Sequence, residues 1–97
     1  MQVVIVPSRL SSLTRIQAVD IVKRLSRAGF EAYADLDRAH NAGWKLAHWE
    51  ARGVPLLIDF SERDVPAQLV FVRRCSPYLL LSTTLAELED TLRVLLQ

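Results

Sequence analysis

The sequence predicts an α/β domain: three layers, with an open, mixed five-stranded sheet in the order β-α-β-α-β-β-β-α flanked by three helices. Short apolar runs alternate with segments of helical periodicity as far as Phe60, which implies parallel strands joined by right-handed crossovers. One polar break, Ser61 to Pro66, separates the third run from the fourth, and so short a connection implies an antiparallel pair. The chain has 97 residues, and a domain of that size removes only about two-thirds of its unfolded surface from water. A single domain over residues 1–97 is the expectation.

Val3-Val4-Ile5-Val6, stopped by Pro7-Ser8, reads as a central strand buried on both faces. Thr14 followed by Gln17 has capping-box spacing, and Ile16, Val19, Val22 and Leu25 recur at helical spacing until Gly29, so a helix is predicted over 14–28. Phe30, Ala32 and Ala34 alternate with Glu31, Tyr33 and Asp35 in a more exposed strand, followed by a polar connector from Leu36 to Asn41. Ala42 to Arg52 is a shorter helix ended by Gly53. Pro55 lacks an amide hydrogen, so the third strand pairs from Leu56 onward. Gln68 to Arg73 is a fourth strand, and Tyr78 to Ser82 a marginal fifth. Thr84 and Glu87 repeat the capping-box spacing ahead of a last helix marked by Leu85, Leu88, Leu92 and Leu95.

Such sheets bind ligands beyond the carboxyl ends of their strands, where the loops Pro7–Leu13 and Leu36–Asn41 would lie side by side. Composition excludes several classes. Apolar residues make up 51% of the chain and charged ones 24%, a globular balance, and no apolar run exceeds that of Tyr78-Leu79-Leu80-Leu81, far below the roughly 20 residues of a membrane span. Net charge is +1, so no global field announces a nucleic-acid partner; yet residues 1–53 carry eight basic and five acidic side chains (+3) and residues 54–97 four and six (−2). One cysteine and no leader pattern indicate a reducing intracellular compartment, cytoplasmic or mitochondrial.

Val6-Pro7-Ser8-Arg9-Leu10-Ser11 has no glycine to let a backbone approach a pyrophosphate, so no nucleotide cofactor is expected. His40, His48 and Cys75 lack ligand spacing, which argues against a metal and reads as two surface histidines and a half-buried thiol. No nucleophile elbow surrounds Ser8, Ser11 or Ser12, and Asp35 with Asp37 reads as loop solvation rather than an acid–base pair. No catalytic residue is assigned.

Gly43-Trp44-Lys45, Trp49-Glu50, Gly53-Val54-Pro55, Arg63-Asp64 and Val72-Arg73-Arg74 follow the opening Val3-Val4-Ile5-Val6-Pro7 in a fixed order. This pattern resembles the anticodon-binding domain of prolyl-tRNA synthetases of the archaeal and eukaryotic type, over roughly residues 2–74. The element order is that of the class IIa anticodon-binding fold, shared with histidyl-, threonyl- and glycyl-tRNA synthetases. The resemblance implies an acidic residue after the second strand, which Asp35 supplies, and an arginine two residues on, where Asp37 stands with Arg38 beside it. Ala42 replaces the expected proline, Leu57 an arginine, Ser61-Glu62 a Gly-Pro pair, and Cys75-Ser76-Pro77-Tyr78-Leu79 a polar charged hairpin. A catalytic synthetase domain does not fit in this length. The chain is therefore expected to be noncatalytic, as an excised domain or a free-standing relative, the second favoured because Met1 sits just before the first strand.

The predicted function is RNA binding, to tRNA or a tRNA-like loop, through a strand-end surface of Arg9, Asp35, Arg38, Trp44, Lys45 and Arg73. Lysine in the first turn of the second helix opposes the helix dipole, which hints at an anionic ligand. Trp49 shares the buried stripe of that helix with Ala42 and Leu46; Trp44 lies elsewhere, packing on a neighbour or offering its indole to a base. Arg15, Lys23 and Arg27 form a solvated helix face open to phosphate contacts, and Arg73 and Arg74 point to opposite sides of the sheet. The alternative function is an accessory protein-interaction subunit. Its support is Tyr78, Leu79, Leu80 and Leu81, an apolar run at the predicted sheet edge that would seat a protein partner or a second copy.

Overall fold

A computed structural model describes residues 1–97. The order is β1 (Val3–Ile5), α1 (Ser12–Arg27), β2 (Ala32–Ala34), α2 (Ala42–Ala51), β3 (Leu56–Asp59), β4 (Leu69–Cys75), β5 (Tyr78–Thr84) and α3 (Leu88–Leu95). Short 3-10 turns, Glu62–Asp64 and Leu85–Glu87, precede β4 and α3. The five strands make one mixed sheet in the order β2-β1-β3-β4-β5, with β1 parallel to both neighbours and the β3-β4 and β4-β5 pairs antiparallel. Its fold is that of the predicted α/β class, with three helices on two faces.

β1 is central, and Val3, Val4, Ile5 and Val6 are wholly buried, as their unbroken apolar run requires. Alternate residues serve two cores. Val3, Ile5, Leu56, Ile58, Val70 and Val72 face α1 and α3, where Ala18, Ile21, Leu25, Leu88 and Leu92 meet them. Val4, Val6 and Leu57 face α2, with Ala42, Leu46 and Trp49 packed against them. Arg24 Nε donates to Glu89 Oε2 at 2.8 Å, joining α1 to α3 across the first core.

Both longer helices stop at glycine by the same device. Past α1, the Phe30 N–H donates to the Leu25 carbonyl at 2.9 Å and the Gly29 N–H to the Ser26 carbonyl; past α2, Val54 donates to Trp49 and Gly53 to Glu50. This Schellman arrangement needs a left-handed residue, and Gly29 and Gly53 supply φ of 94° and 85°. Phe30 and Val54, each just beyond, then turn into the core.

Several expectations need correction. α1 begins at Ser12, two residues early, and its capping box is Ser11 with Thr14: the Ser11 hydroxyl accepts from the Thr14 N–H at 3.2 Å and the Thr14 hydroxyl from the Ser11 N–H at 2.9 Å. The buried stripe is Thr14, Ala18, Ile21 and Leu25, while Ile16 is 62% and Val19 39% exposed. The small Thr14 and Ala18 share the sheet-facing stripe with Ile21 and Leu25, and Ile16 and Val19 fall at the flank. Thr84 makes no side-chain cap, and the segment after it is a 3-10 turn before α3 is. β5 is not marginal: it pairs with β4 along seven residues.

Candidate nucleic-acid interface

Two loops meet beyond the carboxyl ends of β1 and β2, as predicted. The first is tied down at both ends. The Ser8 N–H and hydroxyl both donate to the Phe60 carbonyl, at 2.9 and 3.0 Å, and the Thr14 hydroxyl donates to the Arg9 carbonyl at 2.7 Å. The second loop is a chain of carboxylate turns: Asp35 Oδ1 accepts from the Asp37 N–H at 3.2 Å, and Asp37 Oδ1 from the Ala39 N–H at 2.9 Å. That last bond, with His40 and Lys45 nearby, holds the Asp37 carboxyl below the usual aspartate range despite slight opposing burial. Asn41 then caps α2, its side-chain oxygen accepting from the Trp44 N–H at 2.8 Å.

Between the loops lies an open cleft of about 390 Å³, with Arg9, Arg38, His40, Asn41 and Lys45 in its walls. Arg9 and Arg38 are exposed there. Two flexible cations over a cleft walled by capped backbone are suited to hold phosphates.

Asp35 and Lys45 belong to the same end of the sheet, but both are almost wholly buried, Lys45 in the floor of the cleft. Lys45 is 2% and Asp35 7% exposed. Lys45 Nζ donates to the Asp35 carbonyl at 3.3 Å and lies 3.7 Å from Oδ1, while Trp49 Nε1 donates to Oδ2 at 2.8 Å. The two groups expected to meet RNA therefore satisfy each other beneath it, because a lysine stem in the first turn of α2 points back over the end of β2. Lys45→Glu would set two carboxylates together in the interior, so it tests the fold before it tests any ligand. Trp49 is half-buried rather than wholly core, its indole N–H being the strut between α2 and Asp35.

Arg73 is not part of the cleft. Its strand runs antiparallel to β3, so β4 ends beside the start of β3, at the end of the sheet away from the cleft, where Arg73 pairs with Leu57 and Arg74 with Leu56. Arg73 and Arg74 do face opposite sides: the Arg73 guanidinium lies 6.0 Å from the Tyr78 ring centroid, and Arg74 Nε donates to the Pro77 carbonyl at 3.0 Å. Trp44 is 45% exposed, but both of its faces are taken. His40 stacks on one at 3.5 Å between centroids and 12° between planes, and His48 on the other at 4.8 Å and 11°. Helical spacing places His48 on the same side of α2 as Trp44, and both histidines read as surface residues. His48 follows Trp44 by one helical turn, whereas His40 precedes the Asn41 cap and is brought over the indole by the loop.

Tyr78, Leu79, Leu80 and Leu81 lie on β5, the sheet's edge. Tyr78 is 61% and Leu80 47% exposed on the face that carries α2, beyond the reach of that helix; Leu81 turns into the core under α3. No helix is long and apolar enough to cross a membrane. Burial, chiefly, pushes the Cys75 thiol above its usual value, away from the thiolate a metal or an electrophile would need.

The family model described as the anticodon binding domain matches residues 2–95. The chain belongs to that family. Among curated relatives of this anticodon-binding-family chain, the proline–tRNA ligase of Pyrobaculum calidifontis is 33% identical over 98% of the chain, which spans 20% of that protein. The proline–tRNA ligase of Rubrobacter xylanophilus is 38% identical over 75% of the chain, and the bifunctional glutamate/proline–tRNA ligase of Drosophila melanogaster 30% over 99%. The chain spans 16% and 6% of these two proteins. The anticodon-binding match extends past residue 74 and takes in the departing β4–β5 turn and α3.

Proposed function

We propose that this domain binds tRNA, or an RNA loop of tRNA type, without catalysing a reaction, through the cleft between the β1–α1 and β2–α2 loops. The carrying observation is the pair of exposed arginines, Arg9 and Arg38, over a cleft walled by the Asn41 cap and the two pinned loops. The relatives' names, proline–tRNA ligases, supply the class of RNA. Contacts to phosphate are blind to sequence and orient the loop; a chain with net charge +1 concentrates them at one place.

Fluorescence titration of an RNA hairpin at rising salt tests this. Affinity should fall with a log–log slope of about −0.7 per neutralised phosphate on single strands, and the Arg9→Ala, Arg38→Ala double variant should flatten that slope by about 1.4. Absence of binding at low salt, or a slope unchanged in the double variant, would remove the cleft from the function.

A second reading, a protein contact, is favoured by the uncovered Tyr78 and Leu80 on the edge strand. An edge of seven paired residues with an apolar face is suited to a second copy adding strand to strand. Sedimentation at high concentration checks it, and a strictly monomeric chain would rule out the self-association.

A further inference from the structure

His40, Trp44 and His48 form a column of three nearly parallel rings, with planes 12° and 11° apart. One end is closed. His48 meets the Trp49 ring at 5.1 Å and 80°, edge to face, and Trp49 is anchored through Asp35. The middle is closed too, since each face of the Trp44 indole already carries an imidazole. At the other end, His40 keeps a side-chain exposure of 39% and lines the same cleft as Arg9 and Arg38. Its ring is held from two directions, by the indole at 3.5 Å and by Asp37, whose Oδ2 lies 3.8 Å from Nδ1.

A planar ring fixed in orientation, open toward a cleft that two arginines also line, suits one ligand fragment: an aromatic ring with phosphates nearby. We propose that His40 is the platform on which one unpaired nucleobase of the bound RNA stacks, lengthening the His40–Trp44–His48 column by a ring. This rests on the RNA-binding reading above and assigns the base contact to a histidine rather than to the exposed tryptophan. Trp44 and His48 are positioning residues that hold the imidazole plane. Stacking is tolerant of base identity because every base has a π face, so this position reads the presence of an unpaired base and not its sequence.

The test uses an RNA hairpin and a set of the same hairpins with an abasic residue at each loop position in turn. His40→Ala should weaken binding of the intact hairpin by about 5- to 150-fold, the range for losing one base–aromatic stack. One abasic position should weaken wild-type binding by a like factor and add nothing in His40→Ala, whereas His40→Phe, which keeps a ring, should restore both affinity and sensitivity to that position. Trp44→Ala should behave as His40→Ala does, and Trp44→Phe should recover most of the loss, an outcome that a purely structural tryptophan would not give with thermal stability unchanged. If His40→Ala binds as wild type does while Arg9→Ala and Arg38→Ala weaken binding, the platform is wrong and the RNA reading stands. If wild type binds no hairpin at low salt, both fail together.

Discussion

The two halves of the sheet are built to different rules. In the half formed by β2, β1 and β3, strands run parallel and helices cover both faces, so Val4 and Leu57 are as inaccessible on one side as Val3 and Leu56 are on the other. In the half formed by β4 and β5, strands are antiparallel and only the α1/α3 side is covered; Val70 and Val72 are buried, but Phe71 and Arg73 are half-buried and Leu80 is exposed. Crossover helices explain the contrast. A parallel connection must lay a helix on the sheet, and α2 arrives on the second face because the β2-to-β3 crossover passes over β1 in the direction opposite to the β1-to-β2 step, and both are right-handed. A hairpin brings no helix, so β4 and β5 gain one cover from α3 and keep one bare face. The covered half carries a cleft at its strand ends, and the bare half carries a surface.

The largest effect that separates the halves should come from Asp35, at the end of the covered half. Asp35→Ala removes the carboxylate 3.7 Å from the ammonium of a lysine that is 2% exposed, leaving it only the main-chain carbonyl of residue 35, and removes the acceptor of the Trp49 indole N–H. Stranding a buried charge costs about 3–5 kcal/mol, and chemical denaturation should read a loss of that size. Replacing Lys45 by Met in the same chain should recover a large part of it. A single-variant loss under about 1 kcal/mol would mean that Lys45 is solvated through the cleft, and the covered half would be wetter than its burial implies.

Next is a matched pair of leucines on the α2 face. Leu57→Ala empties a wholly buried site beneath α2 and should cost about 2–5 kcal/mol, whereas Leu80→Ala, two strands away and 47% exposed, should cost within about 0.5 kcal/mol. Equal costs would erase the distinction between the halves. Replacing Tyr78 and Leu80 together by Lys should then alter sedimentation at constant stability if the bare face is a contact, while Leu79 and Leu81 replaced together should unfold the chain, because Leu81 turns into the core.

Much of this contrast was legible in the sequence. The run Val3-Val4-Ile5-Val6 marks the strand covered twice, Gly29 and Gly53 mark the helix ends their left-handed φ requires, and Leu85, Leu88, Leu92 and Leu95 name the buried stripe of the last segment. The errors share a cause: they concern which side chains meet when a distant element decides. Ile16 and Val19 share helical spacing with Val22 and Leu25, yet the face that meets the sheet is Thr14, Ala18, Ile21 and Leu25. Arg73 falls away from Arg9 because β4 runs in the reverse direction, which no local pattern around Arg73 signals. Lys45 and Asp35 read as surface charges because nothing local announces that an ion pair will be roofed over. The Trp44–His48 pair is legible as a spacing, but the third ring of the column depends on the loop that carries His40.

The smallest effect lies on the boundary between the halves, at Asp59. It is the last residue of β3, half-buried, pairs with Phe71, and by strand alternation lies on the α2 face with Leu57. Burial raises its carboxyl pKa above the ordinary 3.8, and the attraction of Arg73 only partly offsets this. The sign of the consequence follows from proton counting. Between 3.8 and the raised value the folded chain holds a proton that the unfolded chain has lost, so stability declines as pH rises through that window, and above it the ionised carboxylate is a standing cost. Asp59→Asn removes the charge and leaves the shape. Thermal unfolding should therefore place the variant above wild type at neutral pH, with the gap closing as pH falls toward 3.8 and below. Comparing the two chains at each pH cancels the opposite trend from the lowered carboxyls of Asp37 and Glu89, which both chains share. If Asp59→Asn is instead less stable at neutral pH, attraction to Arg73 outweighs burial, and the bare half begins one strand sooner, at β3 itself.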